Sequence, residues 1–239
     1  MLNRNLKKIL LTAAFLTVLT TFYGLEARFS APEVDEMAAG MATAKAEEPN
    51  PMALLGEGDY QISVYDNIFR RVSGEEGNDW RLMSAIAYHE SRFTPDIVSR
   101  QGAQGLMQIM PVVARQFNVP QEQICDPETN VRLANRLLNQ IASTLRLPAT
   151  TPYRDRMSII LASYNSGIGH VTDARRLARS HGEDPNSWEV VARYLELKSD
   201  PAYYESEVVK CGRFTGYKQT KAYVNDVMSR YNRYCQIAR

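Results

Sequence analysis

Between residues 127 and 147 the sequence PETNVRLANRLLNQIASTLRL places Val131, Ala134, Leu137, Leu138, Ile141 and Leu145 at steps of three and four. That is the period of an α-helix with one apolar stripe, and a stripe of this width must be covered by other elements. Pro127 stands at the start, where a missing N–H costs nothing, and Pro148 follows the end. The same spacing recurs along the chain. QISVYDNIFRRVSG aligns Ile62, Tyr65, Ile68 and Phe69 and stops at Gly74. DWRLMSAIAYHESRF begins with Asp79 as N-cap and ends near Thr94-Pro95, because the residue before proline resists the α region. RDRMSIILASYNSG is stopped by Gly167 and GHVTDARRLARSHG by Gly182, and NSWEVVARYLEL and GYKQTKAYVNDVMSRYNRYCQIA complete the series. No run of β-branched residues alternates long enough for a sheet, so the expected fold is mainly α.

Ahead of these helices the pattern changes twice. Arg4, Lys7 and Lys8 precede the apolar run ILLTAAFLTVLTTFYGL, residues 9–25, a secretory signal or an uncleaved membrane anchor. Its length is at the lower edge of what spans a bilayer and does not separate the two. Either way the chain is expected to be exported, to a periplasm or to the membrane surface facing it. No cysteine follows the run, which excludes a bacterial lipoprotein. Residues 26–59 are rich in Ala, Glu and Pro without sustained period and are about six charges negative, so they are expected to form a solvated tether. Residues 60–239 then form one domain, about four charges positive, which suits a polyanionic substrate. The formal net charge of the 239-residue chain is only +1, which argues against a nucleic-acid partner.

The second helix carries an anomaly. Leu82, Ile86, Glu90 and Phe93 follow one another at steps of four, four and three, so a carboxylate shares a face with three apolar side chains. Desolvation and the negative end of the helix dipole both raise its pKa, which keeps an acid protonated near neutral pH, as general acid catalysis requires. The plainer reading is a glutamate that turns outward or pairs with Arg92. Next comes SRQGAQGLMQIMP, too irregular for a helix and too short for a sheet, with Gly102 and Gly105 permitting a compact loop that returns toward Glu90 and brings Gln108 beside it. A phosphate-binding loop is the competing reading, but it lacks the lysine and the preceding strand.

Four short motifs stand in order: Glu90-Ser91, GLMQ at 105–108, SYNSG at 163–167 and QTKAYV at 219–224. In this the chain resembles the family 1 lytic transglycosylases, the soluble-type catalytic domain with a lysozyme-like, goose-type fold. YNSGIGHVTDARRLA and the segments after it more closely resemble the membrane-bound F-type branch. Residues 26–59 are too short for the solute-binding-like domain which that branch usually carries ahead of its catalytic one. The resemblance implies cleavage of the MurNAc-β-1,4-GlcNAc bond of peptidoglycan with formation of 1,6-anhydro-MurNAc ends, for cell-wall remodelling or turnover. Glu90 is then the catalytic residue, and Ser91, Met107, Gln108, Tyr164, Asn165 and Tyr223 hold the glycan. Ser163 and Ser166 are small replacements that leave this picture intact, whereas Gln219 stands where the family commonly has glutamate.

The alternatives are a goose-lysozyme-type hydrolase on the same fold and a non-catalytic peptidoglycan-binding module. No cofactor is expected. His89, His170 and His181 are too scattered for a metal site, and the spacing of Cys125, Cys211 and Cys235 matches no zinc template. In an oxidising compartment one disulfide, with Cys211–Cys235 preferred, stands against three small buried thiols.

Overall fold

The computed structural model describes residues 60–238, so the N-terminal apolar run and the acidic segment 26–59 lie outside the described residues. Within them the helices are α1 Asp66–Glu76, α2 Trp80–Ser91, α3 Pro111–Gln116, α4 Pro127–Leu145, α5 Tyr153–Ser166, α6 Ile168–Ser180, α7 Trp188–Leu197, α8 Pro201–Tyr204 and α9 Tyr217–Ile237, with a 3-10 turn at Gln121–Gln123. The mainly α expectation is met. Among the described residues there is no strand, only isolated antiparallel bridges pairing Gln104 with Val98 and Ile109. The pieces that sequence periodicity did not reveal, α3, α8 and the 3-10 turn, are one or two turns long, too short to display a repeat.

Helix ends follow backbone chemistry. Asp126 caps α4 by accepting from the Thr129 N–H at 2.9 Å, with Pro127 just inside. Asp79 caps α2 by accepting from the Arg81 N–H, as expected. Two boundaries differ from the sequence reading. Helix α1 runs through Gly74 and stops at Gly77, whose φ of 77° is the left-handed conformation that ends helices and which Gly74 does not need to adopt. Its stripe also begins later, because the Asp66 carboxylate accepts the Ile62 and Ser63 N–H groups and folds 62–65 back over the first turn. Helix α2 stops at Ser91, ahead of Thr94-Pro95, because Arg92 (φ 53°) and Phe93 (φ 63°) both turn left-handed.

Helix α5 is the hub. It packs against α4, α6, α7 and α9, and Ile159, Leu161, Ala162 and Ser163 are completely buried. Its six consecutive residues 158–163 are all buried, so every face of this part of the helix is covered by the rest of the domain. Around it close Met83 and Ile86 of α2, Val131, Leu133 and Leu138 of α4, Val171 and Leu177 of α6, Val191 and Leu195 of α7, and Val224 and Val227 of α9. Each large side chain removed from water contributes about 1.5–3 kcal/mol. Helix α9 lies along α2, and the Tyr231 hydroxyl donates to Asp79 at 2.9 Å, so the cap of one helix also fastens the other. Among the described residues no helix is long and apolar enough to cross a membrane.

The preferred Cys211–Cys235 disulfide is absent: all three cysteines are free and partly buried. Their surroundings differ, since Cys211 donates its backbone N–H to Asp173 whereas Cys235 stands near Arg81 and Tyr231.

Candidate active site

The two left-handed residues after Ser91 reverse the chain, so that 94–110 folds back over the end of α2. Non-glycine residues in this region cost on the order of 1 kcal/mol or more each and need support from their surroundings. Phe93 has it, set edge-on against Phe69 and Tyr88 at 6.2 and 5.7 Å between ring centres. Arg92 does not pair with Glu90. Its guanidinium lies over the Tyr88 ring, 4.2 Å from the centre.

The returning segment closes a tight turn in which Gln104 and Ile109 exchange backbone hydrogen bonds at 3.0 and 2.9 Å. Gly105 (φ 78°) and Gln108 (φ 49°) supply its left-handed corners. Asn130, fully buried in the first turn of α4, holds it: its Oδ1 accepts from the Met107 N–H at 2.7 Å, and its Nδ2 donates to the Gln104 and Ile124 carbonyls. A Cβ on residue 105 would stand 2.5 Å from that Nδ2, so glycine is required there by space as well as by φ. Two further bonds tie the turn to the helices. Ser91 Oγ donates to the Leu106 carbonyl at 2.8 Å, and the Tyr164 hydroxyl donates to the Met107 carbonyl at 2.8 Å.

This turn, α2, α5 and the start of α9 enclose a cleft of about 190 Å³ lined by Glu90, Gln108, Tyr164, Asn165, Phe214 and Gln219, among others. Glu90 is the only carboxylic acid among the lining residues. Burial pushes its pKa up to about 7, against a smaller opposing effect of a hydrogen bond with Tyr223. Tyr223 is almost fully buried and sets its ring edge-on to His89 at 4.7 Å. Tyr164 stays protonated, its pKa raised first by burial and then by the nearby Glu90 charge. Asn165 Oδ1 accepts from the Thr220 hydroxyl at 3.0 Å, joining α5 to α9 across the cleft. Gln108 Nε2 donates to the Ile97 and Gly105 carbonyls, which leaves its amide oxygen as the group for a ligand.

Of the residues singled out in the sequence, Glu90, Gln108, Tyr164 and Asn165 thus come together at the cleft, with Tyr223 touching Glu90 from behind. Two do not line it. Ser91 is buried and fastens the turn, and the Met107 side chain is fully buried in the core. Met107 meets the site only through its backbone, whose carbonyl accepts from Tyr164, while the next residue, Gln108, lines the cleft. Ser163 and Ser166 donate to carbonyls one turn back in α5, though Ser166 also touches the cleft. Gln219 lies in the wall with its Oε1 buried and without a hydrogen-bond partner. His89, Gln101 and Phe214 are lining residues that sequence reasoning missed. For His89 the signal was its place beside Glu90; Phe214 belongs to an irregular segment with no periodic signal.

The remaining histidines lie elsewhere. His170 is buried and accepts from Lys198 Nζ at 3.1 Å, and His181 stacks beside Tyr194 and Tyr203. Among the described residues no group of three His, Cys, Asp or Glu side chains is arranged to hold a metal ion.

Residues 67–186, half of the chain, match the transglycosylase SLT domain. The chain belongs to that family. Glu90, the GLMQ turn and the SYNSG helix end all fall inside the matched part of the SLT domain, and only the α9 motif lies beyond it. The chain is 33% identical over 174 residues to a membrane-bound lytic murein transglycosylase F from Alcanivorax borkumensis, covering 73% of this chain and 36% of the relative. It is 37% identical over 147 residues to the protein of the same description from Shewanella pealeana, covering 62% and 29%. The chain therefore spans only about a third of the length of these relatives. Among solved structures, the lytic transglycosylase Slt from Pseudomonas aeruginosa aligns over 72% of this chain and 24% of its own at 24% identity, with a TM-score of 0.49.

Proposed function

We propose that this SLT domain cleaves the β-1,4 bond between N-acetylmuramic acid and N-acetylglucosamine in peptidoglycan and closes a 1,6-anhydro ring on the muramoyl product. The observation that carries the reading is Glu90, a single carboxyl group at the cleft with its pKa pushed up to about 7 and no second acid among the lining residues. Most glycosidases use two carboxylates, one of them for a nucleophile or a water. One suffices when the substrate supplies its own nucleophile. Glu90 protonates the leaving glycosidic oxygen, the substrate's N-acetyl group meets the charge developing at C1, and the Glu90 carboxylate then takes the proton of the C6 hydroxyl as that oxygen bonds to C1. The acid ends protonated as it began, and no water is consumed.

The cleft groups hold the sugar in the geometry this requires. The Gln108 amide oxygen, the Tyr164 hydroxyl, which has an acceptor lone pair left, Asn165 and the unpartnered Gln219 Oε1 present polar atoms along the glycan path. Tyr223 steadies Glu90, and Ser91 and Met107 act through the turn they fasten. The names of the curated relatives support the reaction and its substrate. They also support membrane association, which we take to be on the side facing the periplasm. In that arrangement residues 1–25 direct export or anchoring, 26–59 form the tether and 60–239 the catalytic domain.

Digestion of purified sacculi in ¹⁸O-labelled water tests the reading. Products one water lighter than hydrolysis products and free of label at the new muramoyl end are expected. Labelled reducing ends would instead assign the hydrolase chemistry of a goose-type lysozyme, even with Glu90 as the acid.

A further inference from the structure

Beside the cleft, and sharing His89 with it as a common wall, lies a second pocket formed by the end of α2 and the middle of α9. Its character is cationic. Arg92, Arg230 and Arg233 line it against a single acid, Asp226, whose side chain is 67% exposed and lies 3.8 Å from His89 Nε2. The guanidinium carbons of Arg92 and Arg230 stand 4.2 and 3.5 Å from the centre of the Tyr88 ring, so two like charges are held against one aromatic face system instead of dispersing into solvent. Arg230 stands near enough to the Tyr234 hydroxyl to oppose the rise in its pKa that burial causes. Among the described residues the exposed guanidiniums of Arg92 and Arg233 make neither an ion pair nor a hydrogen bond. Arg92 and Arg230 also disfavour protonation of His89: after burial, and against the pull of Asp226, they lower its pKa. The local field is therefore positive right up to the cleft wall.

Guanidinium groups oriented by stacking, with free N–H edges, match planar carboxylates, which accept two parallel hydrogen bonds. A muramoyl sugar in the cleft carries a stem peptide on its lactyl group, and that peptide bears free carboxylates within a few residues of the ring. We propose that the Arg92–Arg230–Arg233 pocket is a subsite for stem-peptide carboxylates of the muramoyl residue bound beside Glu90. The proposal rests on the peptidoglycan reading above. It gives the domain a preference for peptide-bearing over stripped glycan, and it orients the muramoyl sugar relative to Glu90 by holding its substituent. Tyr88 serves as the platform and His89 as the partition between the two pockets.

Binding to the full chain carrying Glu90→Gln, in which turnover does not intervene, provides the test. Calorimetry would compare three probes: a disaccharide bearing an L-Ala-γ-D-Glu-diaminopimelate stem, the same compound with its peptide carboxylates amidated, and the peptide-free disaccharide. The charged stem is expected to bind roughly tenfold more tightly than the amidated one, the scale of a charge-assisted hydrogen-bonded pair. With Arg92→Gln and Arg233→Gln added, the ratio of the two dissociation constants should fall to about one, and raising the salt concentration should lower it in the parent. Equal affinity for charged and amidated stems, or a ratio that survives the substitutions, overturns the proposal while leaving the peptidoglycan reading standing if the peptide-free disaccharide still binds. Failure of all three probes to bind overturns both. Retention on anionic lipid vesicles that the two substitutions abolish, without any preference for the charged stem, would assign the pocket to a membrane surface and overturn the proposal as well.

Discussion

A half-buried acid and a fully buried one have opposite fates in this domain. Glu90 sits at the cleft with a phenol as its hydrogen-bonding neighbour and no cation, and burial drives its pKa up to about 7. Asp173 of α6 is completely buried, and burial acts on it in the same sense, yet its pKa is lowered. The difference is its company. Lys198 Nζ donates to it at 2.9 Å, Arg176 at 2.7 Å, and the backbone N–H groups of Lys210 and Cys211 at 2.9 and 2.7 Å. Burial alone therefore does not decide the state of an acid; the balance between desolvation and the donors facing it does. Asp173 is held as an anion and serves as an anchor. By gripping 210–211, and with His170 packed at 4.5 Å on Phe214, it fixes the segment that forms one wall of the cleft in which Glu90 works.

Glu90→Gln is expected to have the largest effect, removing the transferable proton while keeping shape. Turnover of sacculi should fall by roughly 10²- to 10⁴-fold, the usual contribution of a general acid, with the unfolding midpoint unchanged or raised near neutral pH. Activity within a few-fold of the parent would remove the distinction between the two acids.

Giving Asp173 the isolation of Glu90 should unfold the domain more readily without touching the acid at the cleft. Lys198→Met leaves a buried carboxylate with less compensation, and breaking such a pair costs about 3–5 kcal/mol. Denaturant unfolding would read this loss, and the double variant Asp173→Asn/Lys198→Met should recover much of it. A single variant as stable as the parent would mean that Arg176 and the backbone donors suffice to hold Asp173.

The pH dependence of stability should separate the acids by sign. Glu90 has its folded pKa raised, so the folded state binds more protons than the unfolded one between about 4.5 and 7, and stability falls as pH rises through that window. Substituting glutamine should remove that slope and raise stability above pH 7 by about 1–3 kcal/mol. Asp173 has its folded pKa lowered from 3.8, so its contribution is present above that value and is lost as pH falls below it. Thermal melts from pH 3 to 8 on the parent and Glu90→Gln would check both. The rate should also fall as pH rises above about 7, where Glu90 loses its proton.

The smallest effect is expected at Tyr223. Its hydrogen bond lowers the Glu90 pKa, so Tyr223→Phe should move the alkaline limb of the pH–rate profile upward, with a modest loss of turnover. A limb displaced downward would contradict the assigned direction.

The sequence by itself determined the helices and where chemistry would be found. Apolar spacing fixed α4 to within a residue or two, Asp79 announced the start of α2, and a carboxylate in step with Leu82 and Ile86 marked Glu90, because these are local periodicities and caps that a chain displays before it folds. Helix ends governed by the sign of φ were less legible, since Gly74 and Gly77 look alike until a neighbouring carbonyl needs the left-handed turn. What only tertiary structure decided is which way each side chain faces once distant segments meet. Asn130 gave no signal, because its importance is to satisfy three backbone groups of segments that precede it in the chain by six to 26 residues. Met107 and Ser91 were expected in the cleft and instead hold its frame. The fate of the two acids was settled the same way: Glu90 and Asp173 are both acids on helices in the sequence, and only the folded chain brings Lys198, Arg176 and the 210–211 backbone to one and withholds every cation from the other.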